Sequence, residues 1–286
     1  MESNQTMNTK RETVKQKLLE LKQKSFKVNS ETNIRDVCFD MLSFIGDVDP
    51  VLRDEYIYEA FYNWLIIYDV IDHVTLKELC FKISDEEHLF LNISSFSTDD
   101  VFMRSFSVLI LSVMLNYQSK HSFLDKEEFN VLKNKILRYV SYEKDVRGYV
   151  EDKGWAHSMA HGADALKEIV LCNQSTLNDH KEILKILEVM LCNKKIVYTY
   201  KEDERMANVL LAIINRNLVS THIIKDWLSA LVQRVNFSTD QITYAKSLNI
   251  RNFLYSFYFK NRNINLFDDS FVFTFHLIDH NKQTIL

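Results

Sequence analysis

The sequence is poor in the residues that turn a chain: it has one proline and four glycines in 286 residues. Average usage would give about 14 prolines and about 20 glycines at that length. The scarcity excludes β-sandwiches, barrels and βαβ folds, which need many tight turns or glycine-bearing loops. It excludes collagen-like and Pro/Gly-rich disordered chains as well. Cysteine is sparse and scattered. Cys38, Cys80, Cys172 and Cys192 form no CxxC pair, so neither a disulfide framework nor a zinc knuckle follows from them. They read as reduced thiols on apolar helix faces. Neither sign of charge dominates: 35 basic and 39 acidic residues leave a net charge of −4, and the chain as a whole is not polyanion-seeking. The greasiest stretch, Phe106–Leu115, is about half of the ~20 residues a membrane span needs. It reads as a buried core helix. Residues 1–10 are polar and lack the apolar segment of a signal peptide. The expectation is a cytoplasmic protein with no membrane span.

What the chain does have is apolar residues at helical spacing almost throughout. Helices are expected near Thr13–Lys24 and Ile34–Phe44, the second stopping at Gly46 as a C′ residue. Asp49 is an N-cap candidate with Pro50 at the first helical position, opening a helix that carries Tyr56, Tyr58, Phe61, Tyr62, Trp64 and Tyr68. Further helices are expected near Leu76–Phe81, from Thr98 or Asp99 to Tyr117, over Glu127–Tyr139, Trp155–Leu171, Asp179–Cys192, Glu202–Ile214, Thr221–Leu231 and Thr239–Phe259. A last one includes Phe267–Ile278, where Phe271–Phe275 also alternates like a strand. About a dozen helices of about three turns on short polar loops predict an all-α fold. Their regular spacing suggests a helical-repeat, HEAT-like α/α superhelix, with a closed α/α bundle as the competing layout. No Pro- or Ser-rich linker divides the chain, so residues 11–286 are expected as a single all-helical domain and residues 1–10 as a disordered N-terminal tail.

Three of the four glycines, Gly148, Gly154 and Gly162, fall between Arg147 and Leu166. Gly148 and Gly154 bracket a loop. Gly162 lies within a helix, where it costs about 1 kcal/mol relative to Ala, so close approach of a backbone or ligand is expected there. At 100° per residue, Ala156, Met159, Ala160, Ala163, Leu166 and Val170 share an apolar face. His157, His161, Asp164 and Glu168 form a stripe on nearly the opposite face. Imidazoles and a carboxylate one turn apart can share a divalent metal ion or act as an acid/base pair. The same stripe also fits a solvated helix face or a ligand-binding face. Its neighbours Arg147, Glu151 and Trp155 set it apart from the Lys/Glu composition of an ordinary solvated face.

Arg147-Gly-Tyr, followed by Gly154-Trp-Ala-His157-Ser-Met-Ala-His161-Gly-Ala-Asp164-Ala-Leu, resembles the signature of a bacterial family catalogued as domain-of-unknown-function family 2785. Asp49-Pro-Val-Leu-Arg53-Asp54-Glu55 resembles that family's other recognisable segment. The resemblance covers most of the chain, and its most specific part is the His/Asp segment. It implies an all-helical bacterial protein and no particular activity. The abundance of Lys, Asn, Ile and Phe points the same way by composition.

Other chemistries are not supported. His157-Ser-Met-Ala-His161 has the two-histidine spacing of zinc proteases, but Ser158 stands where those enzymes need Glu. The pairs Asp72-His73, Asp179-His180 and Asp279-His280 run opposite to the His-Asp order of metal phosphohydrolases. There is no GxxxxGK, GxGxxG or GxSxG. Glu55 fits a helix N-terminus as a dipole complement, whereas Asp54 fits that role and a place in the site equally well. The aromatic run could stack a base or sugar but fits a core better. Lys10, Arg11, Lys15, Lys17, Lys22, Lys24 and Lys27 make the first helix basic. They could meet a phosphate backbone, or form a solvated capping helix at the end of an array.

The leading expectation is a protein that binds a small molecule or a protein partner on a concave face, through His157, His161, Asp164 and Trp155, supported by Arg147, Glu151 and Asp54. The alternative is a metal-dependent or acid/base, hydrolase-like enzyme in which His157, His161 and Asp164 coordinate a divalent metal ion and Glu168 or Asp54 assists. Nucleic-acid binding is the weakest alternative.

Overall fold

A computed structural model describes residues 2–193, 195–236 and 240–261. Among them the chain is mostly helical, with one two-stranded hairpin. Contacts divide it into two units, Met1–Glu168 and Ile169–Leu286.

In the first unit, α1 spans Glu2–Gln23, so residues 2–10, expected as a tail, form its opening turns. Helix α2, Ile34–Leu42, is capped by the Asn33 side chain on the Asp36 N–H. It stops four residues before Gly46. That glycine is not left-handed and does not act as a C′ residue. An added Cβ there would lie 2.3 Å from the Met103 backbone, so close approach is its reason. Helix α3 runs through residues 51–67 and is π-helical over Val51–Tyr58 and Asn63–Ile67, with one α-helical turn, Glu59–Tyr62, between. Much of its aromatic run is core: Phe61 and Trp64 are fully buried, and Trp64 Nε1 donates to the Phe26 carbonyl at 2.9 Å. Helix α4 is His73–Ile83, α5 Asp100–His121 and α6 Lys126–Tyr142. Asp125 and Glu128 close a capping box on α6.

Helix α5 organises this unit. Among the described residues it is the one helix long and apolar enough by composition to cross a membrane, and it is largely buried within the fold. It packs on α3 and α4. Strands β1, Tyr149–Val150, and β2, Gly154–Trp155, pair antiparallel with Tyr149 opposite Trp155. Helix α7, Ser158–Leu171, follows. The helix expected from Trp155 therefore starts three residues later, and a hairpin stands in place of the loop.

The second unit holds α8, Leu177–Leu191, capped by a Thr176/Asp179 box, with α9 Glu202–Arg216, α10 Thr221–Gln233 and α11 Gln241–Asn261. Helix α9 packs mainly on α11, and Trp227 Nε1 donates to the Leu184 carbonyl at 3.1 Å. The expected helix at Phe267–Ile278 lies outside the described residues.

Candidate functional site

The site begins at the opening of α3. Asp49 accepts the Val51 N–H at 2.9 Å, ending the loop and starting the helix. Its neighbours hold the basic helix α1: Arg11 pairs with Asp47, Lys15 with Asp49, Lys22 with Glu55 and Glu59, and Lys10 with Asp40. Four of the basic residues that could have met a phosphate backbone thus face carboxylates of the chain itself.

One turn on, Arg53 is fully buried. Its Nη1 donates to the Asp47 carbonyl at 2.7 Å. Its Nη2 donates to Asp54 Oδ2 at 2.8 Å and to the Lys153 carbonyl at 2.7 Å. Its guanidinium carbon lies 4.3 Å from the Phe102 ring centre and 4.7 Å from that of Phe106. These are cation–π contacts in a desolvated setting, where they are strongest. Burial lowers the Arg53 pKa and pushes the Asp54 carboxyl up to about 6, the loss of water outweighing the neighbouring guanidinium. Residues adjacent in sequence do not normally face each other on a helix. Here they pair within a π-helical stretch, a rare geometry often found at functional sites.

The hairpin that receives Arg53 is fixed by its backbone. Gly154 has φ +77°, and a Cβ on it would lie 2.9 Å from Pro50 Cβ and 3.1 Å from Arg53 Nη2. Only glycine takes this position without strain or collision. Below the hairpin, Arg104 and Glu143 form a fully buried two-point ion pair at 2.7 and 2.9 Å. Glu143 Oε1 also accepts the Lys144 and Asp145 N–H groups. Asp145 in turn holds Arg147, whose Nη2 also reaches the Thr98 carbonyl at 2.6 Å. Arg147, expected as a ligand-binding residue, spends its guanidinium on this anchoring.

His157 precedes α7 rather than lying on it, in the left-handed region at φ +49°. The Trp155 ring stacks on it at 4.3 Å and 18°. The His161 ring meets it edge-on at 5.7 Å, and Phe106 meets His161 edge-on at 5.2 Å. His161 Nδ1 lies 3.2 Å from the Ser105 carbonyl. Phe106 therefore touches both Arg53 and His161, and the two segments near residues 53 and 157 converge on it. The apolar face expected on α7 is buried, but the polar stripe is buried too: His157 is 9% exposed and His161 and Glu168 5%. The stripe faces α5, from which Asn116 donates to Glu168 at 3.0 Å. Asp164 is half-buried, and Glu151 stands exposed in the hairpin turn. Arg53 was legible as part of the Asp-Pro-Val-Leu-Arg-Asp-Glu segment. Phe106, Arg104 and Glu143 carried no local signal, because their roles come from residues dozens of positions away.

Among the described residues, Asp85, Glu87 and His88 bring three ligand atoms within 4.8 Å of one another, and Lys82 pairs with both carboxylates at 2.9 and 2.7 Å.

A family model described as protein of unknown function (DUF2785) matches residues 89–259, more than half of the chain. No curated protein and no solved structure matches it.

Proposed function

The chain belongs to the DUF2785 family, and we propose that it is a helical-repeat scaffold that binds a small molecule through Trp155, His157, His161 and Asp164. Asp54 stands at the edge of that site, with Arg147 and Glu151 on the hairpin side. The observation that carries this reading is the convergence on Phe106: Arg53 at 4.7 Å and His161 at 5.2 Å come from segments about a hundred residues apart. A buried guanidinium, a carboxyl poised near 6 and two buried imidazoles are expensive to assemble for stability alone, and perturbed titratable groups cluster at binding sites.

The finer architecture, a HEAT-like α/α superhelix acting as one domain with the site on its concave face, belongs to the same proposal. Its support is the packing of four helices on their next-but-one neighbours: α1 on α3, α2 on α4, α3 on α5, and α9 on α11. The family match runs through residues 168 and 169 without a break, which favours one functional unit. A bacterial, cytoplasmic setting is part of this reading, from composition and from the burial of α5.

A thermal-shift screen of a metabolite library against the wild type and the His157→Ala/His161→Ala double variant tests it. Compounds that raise the wild-type Tm and leave the variant unmoved are expected. Hits shared equally by both proteins, or none, would sink the reading. Elemental mass spectrometry on the same pair addresses the hydrolase-like alternative: near-stoichiometric metal lost in the variant would replace a binding scaffold with a metal-dependent enzyme.

A further inference from the structure

We infer that the Tyr149–Trp155 hairpin is a lid over the two imidazoles, latched at Lys153. The inference rests on the binding reading above and supplies what that reading requires. His157 and His161 are nearly inaccessible, so a ligand reaches them only if something moves. The element lying directly on His157 is the hairpin, through the Trp155 ring stacked at 4.3 Å.

The hairpin is built to move locally. Its strands are two residues each, and an isolated two-stranded hairpin is marginal in water. Val150 packs against the buried cluster of Val101, Phe102 and Ala156, and the polar holds on the rest of the unit come at Lys153, from both ends of that residue. The carbonyl accepts from Arg53 Nη2 at 2.7 Å, and the ammonium reaches both oxygens of Asp99 at 2.8 Å. The second hold is half-exposed, so it contributes little and is easily broken. The first ends on a main-chain atom and survives side-chain substitution. Where the hairpin rejoins α7, His157 sits at φ +49°. A left-handed non-glycine residue stores strain, and swinging the hairpin outward relaxes it. Arg53 and Phe106 stay in place as the floor when Trp155 leaves.

Hydrogen exchange of the full chain without ligand tests this independently of any ligand screen. The reporters are the Lys153, Ala156 and His157 amides, bonded to the Val150, Gly148 and Arg147 carbonyls within the hairpin itself; a two-stranded hairpin that has left the unit does not keep them. They are expected to exchange by local opening, with rates flat in low denaturant, while amides inside α5 follow global unfolding. Asp99→Asn and Lys153→Ala, which loosen the latch, should each speed the reporters about three- to fivefold, as the loss of a half-exposed ion pair allows, and leave the α5 amides unchanged. Gly154→Ala should do so too, by driving a methyl group into Pro50. If the reporters share the denaturant dependence of α5, or if neither latch variant speeds them more than twofold, the lid is overturned while the binding reading stands on its own screen. An empty screen with a three- to fivefold release of the reporters would reject the binding reading and leave the hairpin's opening established.

Discussion

His157 shows how one backbone angle decides what a side chain is for. Helical arithmetic put it on a stripe with His161 and Asp164, yet it lies one residue before α7, at φ +49°. The helical bond from the His161 N–H to its carbonyl is still made, at 2.9 Å, so the spacing survives and the ring direction changes. Because that angle costs an L-residue about 1–2 kcal/mol, His157→Gly should unfold at higher denaturant than His157→Ala, by about 1 kcal/mol. Equal midpoints, or alanine the more stable, would mean the angle carries no strain. Gly162 illustrates the opposite case. It lies inside α7, and an added Cβ would sit 3.1 Å from Val140 Cγ2. The sequence suggested close approach of a backbone or a ligand; the neighbour is instead a side chain of α6.

At the scale of elements, helix α5 is tied to the segment after α6 by charge in the interior. Arg104 and Glu143 are both fully buried. Removing one member of such a pair leaves the other uncompensated, at about 3–5 kcal/mol. Arg104→Met should therefore lower stability by that order in urea titration. It should also loosen residues 143–147, since Glu143 holds the Lys144 and Asp145 amides. A loss below about 1 kcal/mol would show that the pair's own desolvation cancels its attraction. Most helix positions were legible because apolar residues recur at helical spacing; Asp125, Thr176 and Ser220 then cap the helices that follow. The hairpin was not, because two strands of two residues carry no periodicity to read.

For the whole molecule, stability against pH is set by groups whose folded titration departs from the unfolded chain. His180 is fully buried, and its pKa is lowered by burial and by the nearby Arg216. Below its ordinary value of 6.5 the unfolded chain takes up a proton that the fold resists, so stability is full above 6.5 and falls as pH drops beneath it. Asp54 has the opposite sign. Its pKa is raised from 3.8 to about 6, so its contribution is present at low pH and lost as pH rises through about 6. The stability difference between wild type and His180→Leu should therefore move against the wild type as pH falls from 7.5 to 5.5. The difference between wild type and Asp54→Asn should move in favour of the wild type over the same descent. Two flat differences would place both groups in water-like surroundings.

The sequence by itself determined the fold class and the family. Too few glycines and prolines leave nothing but helices to build, and the His/Asp segment is read without knowing where it lies in space. It also placed most helices to within a turn, through apolar residues at helical spacing. Only the tertiary structure decided which face of α7 is wet. A helix surrounded on several sides buries its polar stripe as well as its apolar one, and periodicity cannot distinguish a polar face turned to water from one turned to α5. Tertiary structure also decided what each candidate touches: Arg147 pairs with Asp145, Glu151 is exposed, and Asp54 pairs with Arg53, whose guanidinium lies on the Phe106 ring that meets His161. Those contacts span dozens of residues or more, and no local spacing encodes them.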